Sequence, residues 1–282
     1  MSVSNFHTHS EFCDGVGELE QYVNEALNYG FQAIGFSSHA PLPFYKSWVM
    51  PQERLEEYCT SIQELKIKYA DRIQVYLGLE IDYIPGIIGP RSQQFKDLNL
   101  DYTIGSIHLV KNGKPDGYTY TGEYGKEFDQ LLHDVYGGDS AEFVKHYYSL
   151  IREMVREHQP EIIGHLDLIK KVNKEFKYFD ETAAWYKEEV LRTLEVVADS
   201  KAVLEVNTGG IAKGYVKDPH PSPWIVKECN KLGIPIMLNS DAHNPNHMNT
   251  YFKEVIPQLR EAGYTEQRVL LNGAWVNVSL EE

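Results

Sequence analysis

Six of the eleven histidines lie in short segments that read as the ends of β-strands, each with a carboxylate in it or nearby. They are NFHTHS, with His7 and His9 and with Asp14 just beyond; IGFSSHAP, with His39; LGLEIDY, with Glu80; IGSIHLV, with His108; IIGHLDL, with His165; and LNSDAH, with Asp241 and His243. Imidazole nitrogen and carboxylate oxygen are the ligand types of borderline metals such as zinc, manganese and iron. The segments together offer nine candidate ligands, more than one ion can use. A lone His-x-His or strand-end histidine is commonly just a satisfied polar residue. Recurrence over six separate segments is what points to a multinuclear metal site.

The spacing says which elements must position these side chains. Residues i and i+2 of an extended strand point the same way, so His7 and His9 form one two-pronged clip and Asp241 and His243 another. The other ligands end apolar runs of β type: QAIGFSS before His39, IQVYLGLE through Glu80, DYTIGSI before His108 and EIIG before His165. Ligands scattered over a whole chain meet only if strand ends converge, as they do at the C-terminal rim of a closed parallel barrel.

Strand-like and helical periods alternate along most of the chain, with core strands expected over 2–8, 31–38, 73–81, 101–108, 161–165, 202–207 and 234–239. Helices are expected over GELEQYVNEALNYG, QERLEEYCTSIQELKIKYA and SAEFVKHYYSLIREMVREH, the last with Ser140 as N-cap, over 180–200 and 222–232, and in the terminal segments. The Gly- and Tyr-rich stretch from Lys111 to Asp139 reads as a long irregular loop of the lid or binding type. Aromatic residues near 118–124 and 147–148 are candidates to shape a pocket, with core packing as the plainer role.

No Pro/Gly/Ser-rich linker and no repeat divides the 282 residues, so a single domain over 1–282 is expected. The net charge of −14, from 41 acidic and 27 basic residues, disfavours nucleic acid as a partner. A small anionic substrate stays compatible, because bound cations make a pocket locally positive. The start MSVSNFHTHS has no basic-then-apolar pattern and no apolar run nears the ~20 residues a bilayer requires, so a cytoplasmic protein with no membrane partner is expected. Cys13, Cys59 and Cys229 show no paired spacing and read as reduced thiols, with Cys13 in a packing role beside Asp14.

The segments HTH, CDG, SSHAP, GLEIDY, GSIH, GHLDL, EVNTGG and SDAH, in that order, resemble the PHP (polymerase and histidinol phosphatase) superfamily of metal-dependent phosphoesterases. The likeness runs over essentially the full chain and is strongest to the stand-alone histidinol-phosphatase branch. It implies an α/β fold, a distorted (β/α)7 TIM-like barrel, with three divalent or transition metal ions (zinc, manganese or iron) at the C-terminal strand ends. By motif, one metal would take His7, His9, Glu80 and Asp241; a second would share Glu80 and add His108 and His165; a third would use Asp14, His39 and His243. Many relatives carry histidine where Asp14 stands, which would make the third site weaker or selective for a harder metal. Glu80, Asp241 and His243 are the residues expected to carry catalysis, with a metal-bridging hydroxide attacking phosphorus and no Ser or Cys nucleophile.

The resemblance implies hydrolysis of L-histidinol phosphate in histidine biosynthesis. That substrate carries an ammonium and an imidazole, so acidic groups outside the metal cluster are expected to meet it. Asp167, i+2 from His165, is the first candidate for the ammonium, and Asp82, i+2 from Glu80, the second. For the phosphate, Lys213 and His220 lie in the loop after the sixth strand, where IAKG replaces a usual Leu-Arg pair and HPS a usual Tyr-Pro-Ser run; Arg91 is a weaker candidate. The competing readings are a PHP phosphoesterase for another ester (nucleotide, phosphotyrosine or nucleic-acid end), an amidohydrolase with no evident bridging lysine, and a non-catalytic metal-stabilised binding domain.

Overall fold

The structure is a computed structural model that describes residues 4–115, 117–122 and 125–280. β1 (Ser4–Asn5) leads through α1 (Leu19–Asn28) to β2 (Ala33–Phe36), α2 (Leu55–Lys68) and β3 (Gln74–Asp82); the short α3 (Gln93–Lys96) precedes β4 (Tyr102–Ser106). An antiparallel hairpin of β5 (Leu109–Lys111) and β6 (Tyr118–Tyr120), then α4 (Lys126–Tyr136) and α5 (Ser140–His158), intervene before β7 (Ile162–Ile163). Next come α6 (Ala184–Ala198), β8 (Val203–Asn207), α7 (Gly209–Ala212), α8 (Pro223–Lys231), β9 (Ile236–Asn239) and α9 (Phe252–Glu261), and the last elements are β10 (Glu266–Leu271) and β11 (Ala274–Ser279).

Seven strands form one sheet in the order β1-β2-β3-β4-β7-β8-β9, every pair parallel. This is the expected distorted seven-stranded α/β barrel. Helices cover the outside by turning one apolar stripe inward: in α1, Leu19, Tyr22, Val23 and Ala26, spaced i, i+3, i+4, i+7, are all buried. With one face on helices and the other in the barrel, β3 is buried at every residue but its first, which is why it reads as a nearly continuous apolar run.

The barrel closes at its rim. Between β9 and β1 the join is a parallel bridge of Thr8 with Ala242, in which His9 N–H donates to Ala242 O (2.9 Å) and Ala242 N–H to His7 O (3.2 Å). Below it, Phe6 N–H is met by the Asn239 side chain at 2.8 Å instead of by a ladder. The interior is filled by Phe6, Tyr76, Tyr102, Ile104 and Met237, with Val269 and Leu270 of β10 packed against them. Tyr102 lies across the interior and donates its hydroxyl to Phe6 O at 2.6 Å. Its ring explains two glycines on neighbouring strands, since a Cβ at Gly35 or Gly78 would stand 2.4 Å from a Tyr102 atom.

Three expectations are corrected. The terminal segment after α9 is a β-hairpin, not helix: Asn272 and Gly273, at φ 52° and 71°, make the two-residue turn that an Asn-Gly pair favours. The stretch from Lys111 to Asp139 is not irregular but holds the β5–β6 hairpin and α4, whose Phe128, Leu131 and Leu132 are buried at helical spacing. The N-cap of α5 is Asp139, which accepts from Ala141 and Glu142 N–H, while Ser140 donates to Tyr178 O. No helix among the described residues is long and apolar enough to cross a membrane.

Candidate metal centre

The two clips face each other across the rim seam. The Thr8–Ala242 bridge fixes their register, so His9 Nε2 lies 3.1 Å and His7 Nε2 3.7 Å from Asp241 Oδ1. Asp241 itself sits at φ 51°, a left-handed conformation uncommon for a non-glycine residue and typical of functional positions.

Glu80, near the end of β3, is the hub. Its Oε2 lies 2.9 Å from His39 Nδ1 and 3.3 Å from His7 Nε2; its Oε1 lies 2.9 Å from His165 Nε2 and 3.5 Å from His108 Nε2, and accepts from Ser106 Oγ at 2.6 Å. On the outer side Asp14 Oδ1 is 3.3 Å from His243 Nε2 and 3.8 Å from His39 Nε2. All nine sequence-derived candidates therefore meet at one rim. Their ligand atoms fall into four overlapping groups, His7–Glu80–His165, His7–His9–Asp241, His39–Glu80–His108 and His9–Asp14–His39–His243, each spanning no more than 4.8 Å. The third expected set thus gains His9 as a neighbour, its ring 4.1 Å from that of His243.

The donor set fits metal ions on the structure's own account. His7 Nε2, His9 Nε2, His39 Nδ1 and Glu80 Oε2 are buried without a hydrogen-bond partner, a costly arrangement that coordination would relieve. Burial alone would raise the carboxyls, but the surrounding histidines outweigh it: His7, His108 and His39 hold Glu80 well below its usual range, Lys213 and His7 do so for Asp241, and His243 and His39 for Asp14. All three are ionised, as ligands must be. Burial and the neighbouring His243 and His39 hold His9 neutral. Burial also opposes charge on His7, but Glu205, Glu80 and Asp241 prevail and raise it well above the ordinary imidazole range.

Several residues act behind the ligands. Glu205, which sequence reasoning missed, is fully buried on β8; His7 Nδ1 donates to it at 2.6 Å and His165 N–H at 2.9 Å, and Asn207 and Asn239 amides complete its shell. A lone glutamate inside the apolar run AVLEVN was the available signal, since such a charge must be paired. Asp82 is corrected from a substrate contact to an orienting one: it accepts from His108 N–H (2.9 Å) and faces His108 Nδ1 at 3.2 Å, which turns Nε2 toward Glu80. Cys13 Sγ packs 3.5 Å from His9 Nδ1, and all three cysteines are free.

A cavity of about 650 Å³ opens over the cluster. Lys213 and His220 both line it, Lys213 Nζ lying 3.2 Å from His243 Nδ1. Trp48, Lys171 and Tyr215 were not anticipated. Trp48 sets its ring edgewise on His39 and His108, at 4.7 and 5.4 Å, and Lys171 Nζ lies 4.2 Å from the Tyr215 ring centre. Of the aromatic candidates, Tyr120 lines the cavity, Tyr147 and Tyr148 are core residues, and Tyr124 lies outside the described residues. Asp167 is corrected: it is fully buried behind the wall, where His220, Ser222 and Lys170 take up its carboxylate, so it offers nothing to a substrate ammonium. Arg91 is corrected too. It binds Gln159 and faces a groove with Pro160, Ala202 and Pro235, at the N-terminal ends of the strands.

A barrel whose rim gathers histidines and carboxylates around one buried glutamate defines a metal-dependent hydrolase site. The chain belongs to the PHP domain family, which matches residues 5–209. Lys213, His220, Asp241 and His243 lie beyond the matched region. Among curated relatives, a probable histidinol-phosphatase of Deinococcus radiodurans is 31% identical over 91% of this chain and 92% of its own, and a histidinol-phosphatase of Bacillus subtilis is 30% identical over 84% and 92%. Among solved structures, the chain superposes with TM-score 0.77 on a putative histidinol phosphatase of Listeria monocytogenes (21% identity, 89% of this chain and 99% of that one). It superposes with TM-score 0.68 on a histidinol phosphate phosphatase of Lactococcus lactis in complex with zinc, L-histidinol and phosphate (20% identity, 97% and 98%).

Proposed function

We propose that the chain is a metal-dependent phosphomonoesterase, histidinol-phosphate phosphatase, which hydrolyses L-histidinol phosphate to L-histidinol and phosphate in histidine biosynthesis. The observation that carries this reading is the convergence of nine ligand side chains, four of them on Glu80, under a cavity flanked by Lys171 and Lys213. The naming of the Deinococcus and Bacillus relatives supports the substrate.

We assign three divalent ions, zinc, manganese or iron, to these ligands: His7, His9, Glu80 and Asp241 for one; Glu80, His108 and His165 for the second; Asp14, His39 and His243 for the third. Such ions supply Lewis-acid charge against the phosphoryl oxygens and acidify the attacking water. The chain's own residues do the rest. Glu80 would be shared by two of the sites, Glu205 and Asp82 orient His7 and His108, and Lys213 contributes a cation at the cavity mouth for a phosphate dianion. No serine or cysteine is among the described residues that line the cavity, so no side chain is assigned as nucleophile.

The test is phosphate release from L-histidinol phosphate, p-nitrophenyl phosphate, a nucleoside monophosphate and phosphotyrosine. The expected kcat/KM for L-histidinol phosphate exceeds that for p-nitrophenyl phosphate by at least about two orders of magnitude, the scale of one or two charge-assisted hydrogen bonds. Equal or greater turnover of any other ester would overturn the substrate assignment.

A further inference from the structure

The loop between α7 and α8 folds His220 over Asp167, on the turn that follows β7. Both are buried, at 2% and 0% exposure. Asp167 Oδ1 lies 2.8 Å from His220 Nδ1, while Oδ2 accepts from Ser222 N–H at 2.8 Å and Ser222 Oγ–H at 2.9 Å and stands 3.3 Å from Lys170 Nζ. Oδ2 thus faces three donors, one of them the Lys170 ammonium, the setting of an ionised carboxylate. An ionised carboxylate only accepts, so the proton in the 2.8 Å contact belongs to Nδ1. The Lys170–Asp167 pair is already balanced in charge, and burial together with Lys170 holds the ring down at about 4. The imidazole is therefore neutral, and its Nε2 carries a lone pair.

That lone pair lies at the cavity wall. Nε2 is buried, makes no hydrogen bond within the described protein, and belongs to a side chain on the cavity wall. Glycine leaves it room: a Cβ on Gly210 would lie 2.8 Å from Nε2, whereas one on Gly209 would lie 3.0 Å from Asp241 Cβ. The Gly209–Gly210 pair thus joins the metal cluster to His220 along one wall. Three neighbouring polar side chains are committed or of the wrong sense. Asn207 gives its amide to Glu205 and takes Gly209 N–H on its oxygen; Lys171 and Lys213 can only donate.

We infer that His220 Nε2 is a preset acceptor for an N–H donor on the alcohol half of the substrate, and that Asp167 is the positioning residue that fixes its tautomer. The inference rests on the histidinol-phosphate reading and narrows it: the enzyme selects esters whose alcohol carries an ammonium or imidazole N–H within reach of the phosphate site. The sequence run HPS places this acceptor, and a tyrosine or phenylalanine at 220 would not reproduce a neutral imidazole backed by a carboxylate.

The test compares four substrates on the metal-loaded enzyme: L-histidinol phosphate, its des-amino analogue, the analogue with phenyl in place of imidazole, and p-nitrophenyl phosphate. His220→Phe is expected to lower the kcat/KM ratio of L-histidinol phosphate to p-nitrophenyl phosphate by about 10- to 100-fold, mostly through KM, the scale of one lost hydrogen bond in a buried site. The deficit should vanish for whichever analogue lacks the donor, which identifies it as ammonium or imidazole. His220→Gln, whose amide oxygen can stand near the Nε2 position, should restore much of the ratio, and Asp167→Asn, which releases the tautomer, should lose it. Calorimetric binding of L-histidinol should weaken in His220→Phe by a similar factor. If His220→Phe misfolds, the Gln and Asn variants carry the same comparison. Equal losses on all four substrates, or an unmoved ratio with unchanged L-histidinol affinity, would overturn the inference while leaving the enzyme's function standing. A wild-type enzyme that shows no preference for L-histidinol phosphate instead fails the parent reading, a result visible before any variant is made.

Discussion

Replacing Glu80 with glutamine keeps its shape and removes one buried negative charge. Four histidines lie within 3.5 Å of the two oxygens that carry that charge, and in the proposed assignment the same group joins two ions. Removing one partner of a buried charge pair costs about 3–5 kcal/mol, which at about 1.36 kcal/mol per decade is roughly a 10²- to 10⁴-fold loss in kcat/KM. Asp14 offers a contrast: its side chain is 34% exposed and it serves one proposed ion, so water can substitute and Asp14→Asn should cost roughly 10- to 100-fold, the range seen when a metal's supporting groups are lost. The assay is steady-state hydrolysis of L-histidinol phosphate at saturating metal, paired with elemental analysis of each purified variant. Near wild-type turnover in Glu80→Gln beside a dead Asp14→Asn would refute the bridging assignment.

Elemental analysis of wild-type protein from metal-replete medium should approach three equivalents per chain, and full activity with one tightly held ion would contradict the division into three sites. Loading the chelated protein with metal near neutral pH should release protons, since Glu205, Glu80 and Asp241 raise His7 so that its ring holds a proton a cation must displace; the release shrinks as pH rises past that raised value, and calorimetry in buffers of differing ionisation enthalpy would find no buffer dependence if this is wrong. Glu205→Gln should weaken metal affinity by about 10- to 100-fold, because His7 loses the acceptor that sets its tautomer, and an unchanged metal titration would count against that role. Gly78→Ala should lower the melting temperature by several degrees, the overpacking penalty of about 1–3 kcal/mol for a Cβ 2.4 Å from Tyr102 Cζ; a shift under one degree would show that the ring has room to move.

The ligands other than Asp14 were legible because each stands at or just past the end of an apolar run of β type, and because the i+2 spacing groups His7 with His9, and Asp241 with His243, without knowledge of the fold. The same rule misplaced Asp167. Counting i+2 from His165 assumes that the strand continues, but β7 ends at Ile163 and the chain turns into a 3₁₀ helix at Leu168–Lys171, which drops Asp167 behind the wall. Asp82 does lie on β3, yet its oxygen is claimed by the backbone N–H of His108, just past β4, a tertiary contact that no spacing reveals. Trp48 comes from an irregular segment and Lys171 from the end of that short 3₁₀ turn, where period carries little information about direction. The C-terminal hairpin was readable: Asn272-Gly273 between LL and AWV is a strong turn signal, outweighed by the helical rhythm before it.

The rim seam has a consequence for how the molecule comes into being. One clip stands at the first strand and its counterpart at the last, joined by the Thr8–Ala242 bridge. During synthesis His7 and His9 leave the ribosome before the facing clip, whose Asp241 completes their proposed site more than two hundred residues later. Until then the nascent chain holds imidazoles able to capture a stray ion loosely, with no geometry to choose among metals. In the proposed assignment the ligand set is complete only once the barrel closes, so the closed rim is what would choose among metals. An ion seated there would tie the first strand of the barrel sheet to its last.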